Sequence, residues 1–145
     1  MAKQLSVKIV TPEKVILKDE YDEAIIPTTA GQIGVLARHT PLVSGLQPGE
    51  IKLKKDGNTT SLAVSSGFVE VRPNSKLVIL ADTAERAEEI DLERAEEARK
   101  RAETMLKEKD VAEDVEYASL QAIIEKELAR VKVGKKYRKL PPKLN

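Results

Sequence analysis

The side chains most able to do chemistry do not add up to a catalytic site. His39 is the one histidine, and no nucleophile and orienting group accompany it in the sequence, so a structural loop histidine is the better interpretation. Gly31 and Gly34 lie three residues apart, but the Walker Lys-Ser/Thr pair and a following helix, which a phosphate-binding loop needs, are missing. With one histidine and no cysteine, a zinc site has too few ligands. We therefore expect no catalytic residue and no metal site.

A second group of charges falls in a segment of helical composition. Its carboxylates include Glu89, Glu93, Glu96 and Glu97. A solvated helix face carrying mixed charges explains them better than paired catalytic acids do. Arg94 and Arg101 are seven residues apart, which is nearly two helical turns, so they project from about the same side. Two interpretations remain open: Asp91 caps a helix bearing exposed ion pairs, or the two guanidinium groups clamp a polyphosphate.

A third group is basic. Residues 131–145 carry six basic and no acidic side chains, a charge run that can bind nucleic acid electrostatically. However, its aromatic component is the single Tyr137, and the preceding segments lack the aromatic platform on which single strands stack. We expect no nucleic acid partner.

The elements that must position these groups divide the chain in two. Up to about residue 83, short two-periodic segments alternate with Gly, Pro and Asn turn signals, which is typical of a β-sandwich or flattened barrel. The alternating segments include Leu5–Val7–Ile9, Ile51–Leu53, Leu62–Val64 and Val69–Val71. From residue 83 to residue 130 there is neither Gly nor Pro, and Ala, Glu, Lys, Arg and Leu dominate, which predicts helices.

Two apolar stripes at helical spacing predict an antiparallel helical hairpin. The first stripe is Ala95, Ala98, Ala102 and Met105, and the second is Tyr117, Leu120, Ile124, Leu128 and Val131. Because alanine buries little area, the hairpin should be marginally stable by itself. The predicted fold class is α+β, with a β domain at 1–84, a helical hairpin at 85–133 and a basic flexible tail at 134–145.

The beginning of the sequence lacks the apolar core of a signal peptide, and no stretch approaches the roughly 20 apolar residues that cross a bilayer. We expect a cytoplasmic protein that reaches a membrane only through a partner.

Five short segments resemble, in order and spacing, the epsilon subunits of bacterial F-type ATP synthases. They are residues 10–15 (VTPEKV), 31–36 (GQIGVL), 39–42 (HTPL), 66–71 (SGFVEV) and 90–95 (IDLERA). The resemblance covers nearly the whole chain. It implies a ten-stranded sandwich followed by the hairpin, in a non-catalytic rotor subunit on the cytoplasmic face of the cell membrane.

The resemblance also implies partners and roles. The partners are the gamma subunit, the c-ring and the catalytic alpha and beta subunits. The subunit couples rotation to proton flow, and it restrains ATP hydrolysis when its hairpin extends. No cofactor is required, but ATP is a possible regulatory ligand.

Three sets of residues follow from this resemblance. The ATP-binding set is Glu85, Ile90, Asp91, Arg94, Ala95 and Arg101. The ring-facing loop is Gly31, Gln32, Gly34, His39 and Pro41. The inhibitory contact is Arg130, Lys132, Lys135 and Lys136, which would meet an acidic surface of the catalytic subunits. The alternative function is an unrelated β-domain adaptor that binds a partner protein through its helical hairpin.

Overall fold

Ten strands and two long helices make up the computed structural model, which describes residues 4–108 and 114–139. The strands are β1 (Leu5–Val10), β2 (Val15–Tyr21), β3 (Glu23–Thr28), β4 (Gly31–Leu36), β5 (Leu42–Leu46), β6 (Gly49–Lys55), β7 (Asn58–Val64), β8 (Gly67–Arg72), β9 (Lys76–Ala81) and β10 (Ala84–Arg86). A 3₁₀ turn at Ala87–Glu89 leads into α1 (Leu92–Glu108), and α2 (Asp114–Lys139) follows. The expected strand-rich domain and helical hairpin are confirmed.

The strands are hydrogen-bonded in the order β10-β7-β6-β3-β5-β8-β9-β1-β2, with β4 paired to β3. The sheet turns over at β3, whose Ala24 pairs with Leu53 of β6 while its Thr28 pairs with Leu46 of β5. We call β10, β7 and β6 the hairpin layer, and β5, β8, β9, β1 and β2 the open layer. Alternate residues of both layers point into one aliphatic core, as the two-periodic pattern requires.

Strands β8 and β9 of the open layer approach each other closely at Gly67. A Cβ placed on this glycine would lie 1.9 Å from the carbonyl oxygen of Leu80, so any side chain there would push β8 away from β9. The glycine of the segment 66–71 is therefore required by strand packing.

The stretch from Gly31 to Leu36 is strand β4 and not the loop that the sequence predicted. Ile33 and Val35 alternate with exposed residues, and the whole segment pairs antiparallel with β3. The turn into β4 uses Gly31 in the left-handed region, at φ +113°. The expectation of a loop is wrong because the two glycines conceal this alternation.

The tail predicted to start at Gly134 is also corrected, since α2 continues to Lys139. A Cβ on Gly134 would lie 3.2 Å from Cγ2 of Ile90 and 3.3 Å from Cδ1 of Leu92. The glycine thus lets α2 pack closely on the segment that leads into α1, and this tertiary contact outweighs the weak helix propensity of glycine. Residues 140–145 of the predicted tail lie outside the described residues.

The α2 stripe differs from the predicted one at two positions. Tyr117 and Leu128 are 48% and 45% exposed. Val131 is buried as predicted, and Val133 and Gly134, which are outside the predicted stripe, are buried too. The C-terminal half of α2 packs on both α1 and the sheet, so its buried surface does not follow a single stripe.

Candidate functional site

A row of three residues crosses the outer face of the hairpin layer and receives α2. Glu50 of β6 pairs in register with Ala63 of β7, and Ala63 pairs in register with Glu85 of β10. Since cross-strand partners point to the same face of a sheet, the row presents carboxylate, methyl and carboxylate in order.

The facing side of α2 carries the complementary sequence of groups. Nε of Arg130 donates to Oε2 of Glu85 at 2.8 Å, and Nζ of Lys136 lies 3.1 Å from Oε1 of Glu50. Between the two cations, Val133 shares a buried apolar cluster with Ala63. We call these six residues the docking row.

The spacings of the two halves of the docking row match. Arg130, Val133 and Lys136 are three residues apart, so the outer two are separated by about 9 Å along the helix axis. Two strand spacings, from β6 through β7 to β10, span about 9.5 Å. A helix that crosses these strands therefore meets all three sheet residues at once.

Arg130 is the most enclosed cation of the row. Its Nη1 also donates at 2.8 Å to Oε2 of Glu127, a carboxylate that is only 5% exposed. Burial alone would lower the pKa of the Arg130 guanidinium, but its hydrogen bonds and attraction to Glu85 and Glu127 outweigh burial and raise that pKa. Arg130 thus stays charged and neutralises two carboxylates from different elements.

The remaining two residues predicted for the inhibitory contact, Lys132 and Lys135, lie in different environments. Nζ of Lys135 lies 3.3 Å from Oε1 of Glu96, an ion pair that joins α2 to α1. Lys132 is exposed on α2. Among the described residues, Arg130, Lys135 and Lys136 are therefore engaged in ion pairs within the chain.

The six residues predicted to bind ATP extend from Glu85 on β10, through the start of α1, to Arg101 in the middle of that helix. The backbone N–H of Arg94 donates to Oδ1 of Asp91 at 3.1 Å, which confirms the helix cap. Ala95 is fully buried with Leu92 and Val131, and Ile90 is also buried. The side chains of Ile90 and Ala95 therefore pack in the interior and stabilise the segment that leads into α1.

Two arginines of this set remain available to a ligand. The side chains of Arg94 and Arg101 are exposed on α1, and neither forms an ion pair within the part of the chain that the structure describes. Glu85, in contrast, is held by Arg130. It lines a cleft of about 490 Å³ between the sheet edge and α2, together with Lys14, Arg86, Glu89, Lys126 and Arg130, among others.

The predicted ring-facing residues gather around β4 and the turn that follows it. Gly31, Gln32 and Gly34 are exposed on β4, and Pro41 is exposed beyond it. Nδ1 of His39 lies 2.6 Å from the carbonyl oxygen of Thr40, so the histidine shapes the turn.

A buried serine holds this turn. The backbone N–H of Arg38 donates to Oγ of Ser75 at 2.8 Å. Arg38 itself has a left-handed backbone, at φ +67°.

The outer face of the open layer carries an exposed apolar patch beside the Glu70–Arg72 ion pair. Phe68 of β8 and Leu80 of β9 are cross-strand partners, 63% and 50% exposed, and Val43 on the neighbouring strand β5 is 72% exposed. Contiguous exposed apolar side chains of this kind mark interaction surfaces. The sequence pattern missed this surface because each residue, taken alone, is an ordinary member of an alternating strand.

Sequence reasoning singled out Glu85, Arg130 and Lys136 but did not predict that they belong to one docking row. Glu50 and Ala63 come from separate strands, and only the strand register brings them beside Glu85.

None of the helices within residues 4–108 and 114–139 is long and apolar enough to cross a membrane. In the same residues, no group of three or more potential ligands is placed to hold a metal ion.

Comparison with known proteins covers both parts of the fold. Residues 4–87 match the family model described as "ATP synthase, Delta/Epsilon chain, beta-sandwich domain", and residues 88–135 match "ATP synthase, Delta/Epsilon chain, long alpha-helix domain". The ATP synthase epsilon chain of Desulforamulus reducens is 43% identical over 134 residues, covering 92% of this chain and 99% of that protein. The epsilon chain of Dehalococcoides mccartyi is 45% identical over 141 residues, covering 97% and 99%.

Solved structures share the fold. A chain of the mitochondrial ATP synthase of Euglena gracilis aligns with a TM-score of 0.71 at 24% identity, covering 84% of this chain and 76% of that one. A chain of the central stalk and c-ring structure of Tetrahymena thermophila ATP synthase aligns with a TM-score of 0.58 at 14% identity, covering 94% and 97%. The sequence matches contradict the alternative of an unrelated adaptor: the chain belongs to the delta/epsilon chain family of ATP synthase.

Proposed function

We propose that the chain is the non-catalytic central-stalk subunit of a proton-translocating F-type ATP synthase, where it couples rotation to catalysis at the cytoplasmic face of the cell membrane. The names of its relatives support this role. The observation that carries it is the division of the sandwich into two outer surfaces. The open layer exposes an apolar face, while the hairpin layer holds α1 and α2. One partner can therefore stay bound while the hairpin moves.

The open layer is the proposed binding surface for the gamma subunit. Val43, Phe68 and Leu80 would be buried there, and apolar aromatic and aliphatic side chains dominate the centre of stable interfaces. The β4 strand and the turn through His39 and Pro41 would face the c-ring. Among the described strands β4 pairs only with β3, so its other edge carries no strand.

Copurification tests this assignment. Replacing Val43 and Phe68 together with serine should abolish recovery of the gamma subunit with the chain, while the fold persists because both side chains are already exposed. Leu128→Ser is the matched control, since Leu128 is exposed on α2. Unchanged recovery of gamma with the double variant would contradict the proposed surface.

We also propose that the hairpin restrains ATP hydrolysis when it leaves the sheet and extends toward the catalytic alpha and beta subunits. Arg130, Lys132, Lys135 and Lys136 would then meet acidic groups. Replacing the three lysines with glutamine in the assembled complex should raise ATPase activity, and high salt should have a similar effect on the unsubstituted complex. Arg130 is retained in this variant because Glu127 depends on it for neutralisation. An unchanged ATPase activity at low salt would exclude these lysines from inhibition.

ATP is proposed to bind the folded hairpin, with Arg94 and Arg101 holding its phosphates near Asp91. Both arginine side chains are exposed and form no ion pair with the residues that the structure describes, which supports this role. At about 100 times the dissociation constant, a ligand specific to the folded state stabilises it by about 2.7 kcal/mol.

Thermal melts of the isolated chain test this binding. The melting temperature should rise with ATP, and Arg94→Ala should abolish the rise, whereas Glu97→Ala, an exposed change on the same helix, should leave it intact. A melt that millimolar ATP does not move would leave Asp91 with its capping role alone.

A further inference from the structure

We propose that the docking row is a charge latch: Glu50 and Glu85 hold the same cations that an acidic partner surface would bind, so that docking on the sheet and inhibition exclude each other. This inference rests on the proposed extension of the hairpin. It adds the residues that set the balance between the two states.

In the docked state both outer cations of the row are occupied by carboxylates of the sheet. Arg130 gives its Nε to Glu85, and Lys136 places its ammonium 3.1 and 3.4 Å from the two oxygens of Glu50. While α2 is docked, the Arg130 side chain is only 21% exposed, so little of its guanidinium is accessible to a second acidic surface. Lys136 is half-exposed, and a partner carboxylate would have to compete with Glu50 for its ammonium. Lys135 is similarly engaged by Glu96 of α1.

The apolar part of the docking row is small. Val133 packs against Ala63, and the cluster around them is completed by Ala87 and Ile90. Two of these four side chains are alanines, which bury little apolar area. The apolar contact between α2 and the sheet is therefore small, and the two outer ion pairs add to the preference of α2 for this position.

The ion pairs also fix the position of α2 along the sheet. A shift of α2 by one residue would turn the row of cations by about 100° around the helix and away from the sheet. Ion pairs at both ends of the row therefore specify one docked position. Glu127 moves with Arg130 because both lie on α2, so Arg130 stays neutralised on one side when it leaves Glu85.

Distance measurements on the isolated full-length chain test the latch. The chain has no cysteine, so spin labels can be attached to cysteines introduced at the exposed positions Asn58 and Glu125. Double electron–electron resonance then reports the ratio of open to docked molecules. Glu50→Lys should raise this ratio about three- to tenfold, the range expected when one partly exposed ion pair becomes a repulsion.

Charge reversal supplies the controls. Glu70→Lys makes the same change in the open layer, where Glu70 pairs with Arg72, and should leave the ratio unchanged. Combining Glu50→Lys with Lys136→Glu should restore the ratio to within about twofold of the original chain. The milder Glu50→Gln should shift the ratio in the same direction as Glu50→Lys, by a smaller factor.

Poly-L-glutamate serves as a probe of acidic partners. It should bind Glu50→Lys more tightly than Glu70→Lys, although both variants have the same net charge. Equal binding by the two variants, an unchanged ratio in both Glu50 variants, or a failure of the swap to restore docking would each overturn the latch.

The result separates the latch from the proposed inhibition. If the ratio does not respond but lysine neutralisation still activates the assembled complex, only the latch is wrong. If the ratio responds but the complex is not activated, the latch stands and the inhibitory role of the lysines is wrong.

Discussion

Tyr21 on β2 is buried at the edge of the core, with 6% of its surface exposed. Burial raises the pKa of its phenol above the ordinary 10.0, and the charge of Asp19 adds to that effect. Folding raises the pKa of this group, so the protonated phenol favours the folded state. Its contribution to the free energy of unfolding is complete at pH values below the pKa of the unfolded chain. That contribution is lost as pH rises through the higher pKa of the folded chain.

We therefore expect the free energy of unfolding to fall more steeply above pH 10 in the original chain than in Tyr21→Phe. Urea denaturation at pH 8 and above pH 10 measures the difference. Tyr137→Phe, an exposed change, is the control. Parallel declines in the original chain and in Tyr21→Phe would show that Tyr21 does not contribute.

At the scale of elements, β10 makes the boundary of the β domain testable. The sequence placed this boundary after residue 84, yet Ala84–Arg86 pairs with β7, and the following Ala87 is buried. A fragment ending at residue 84 loses the strand that covers the edge of β7, whereas one ending at residue 87 keeps it.

Both fragments should fold, because the main core lies within the sandwich. The 1–87 fragment should be more stable by about 1–3 kcal/mol, since it retains the hydrogen bonds of β10. Circular dichroism and urea denaturation check this. Equal stability would assign β10 to the hairpin, and an unfolded 1–87 fragment would show that the sandwich depends on the helices.

For the whole molecule, the two layers should be separable by mutation. Phe68→Ser should weaken assembly with the gamma subunit while leaving the open-to-docked ratio unchanged, because Phe68 is remote from the docking row in the strand order. Glu85→Gln should do the reverse. Both readouts changing together in either variant would indicate that the layers are coupled.

The sequence alone determined the division into strands and helices. Alternation at Leu5, Val7 and Ile9 is a local property of the chain, and the residue types from 83 to 130 have a strong helix preference. The cap at Asp91 is also local, because its partner is three residues away. These features need no knowledge of distant contacts.

Only the tertiary structure decided the docking row, the end of α2 and the uncovered face of the open layer. Glu50, Ala63 and Glu85 meet because three strands pair in one register, and a shift of one residue would send each to the other face. Gly134 lies within α2 because the helix packs closely on Ile90 and Leu92, where a Cβ would be only 3.2–3.3 Å from their side chains. The sequence pattern records which residues can be buried, but the partner that buries them comes from elsewhere in the chain, and long-range pairing determines which partner it is.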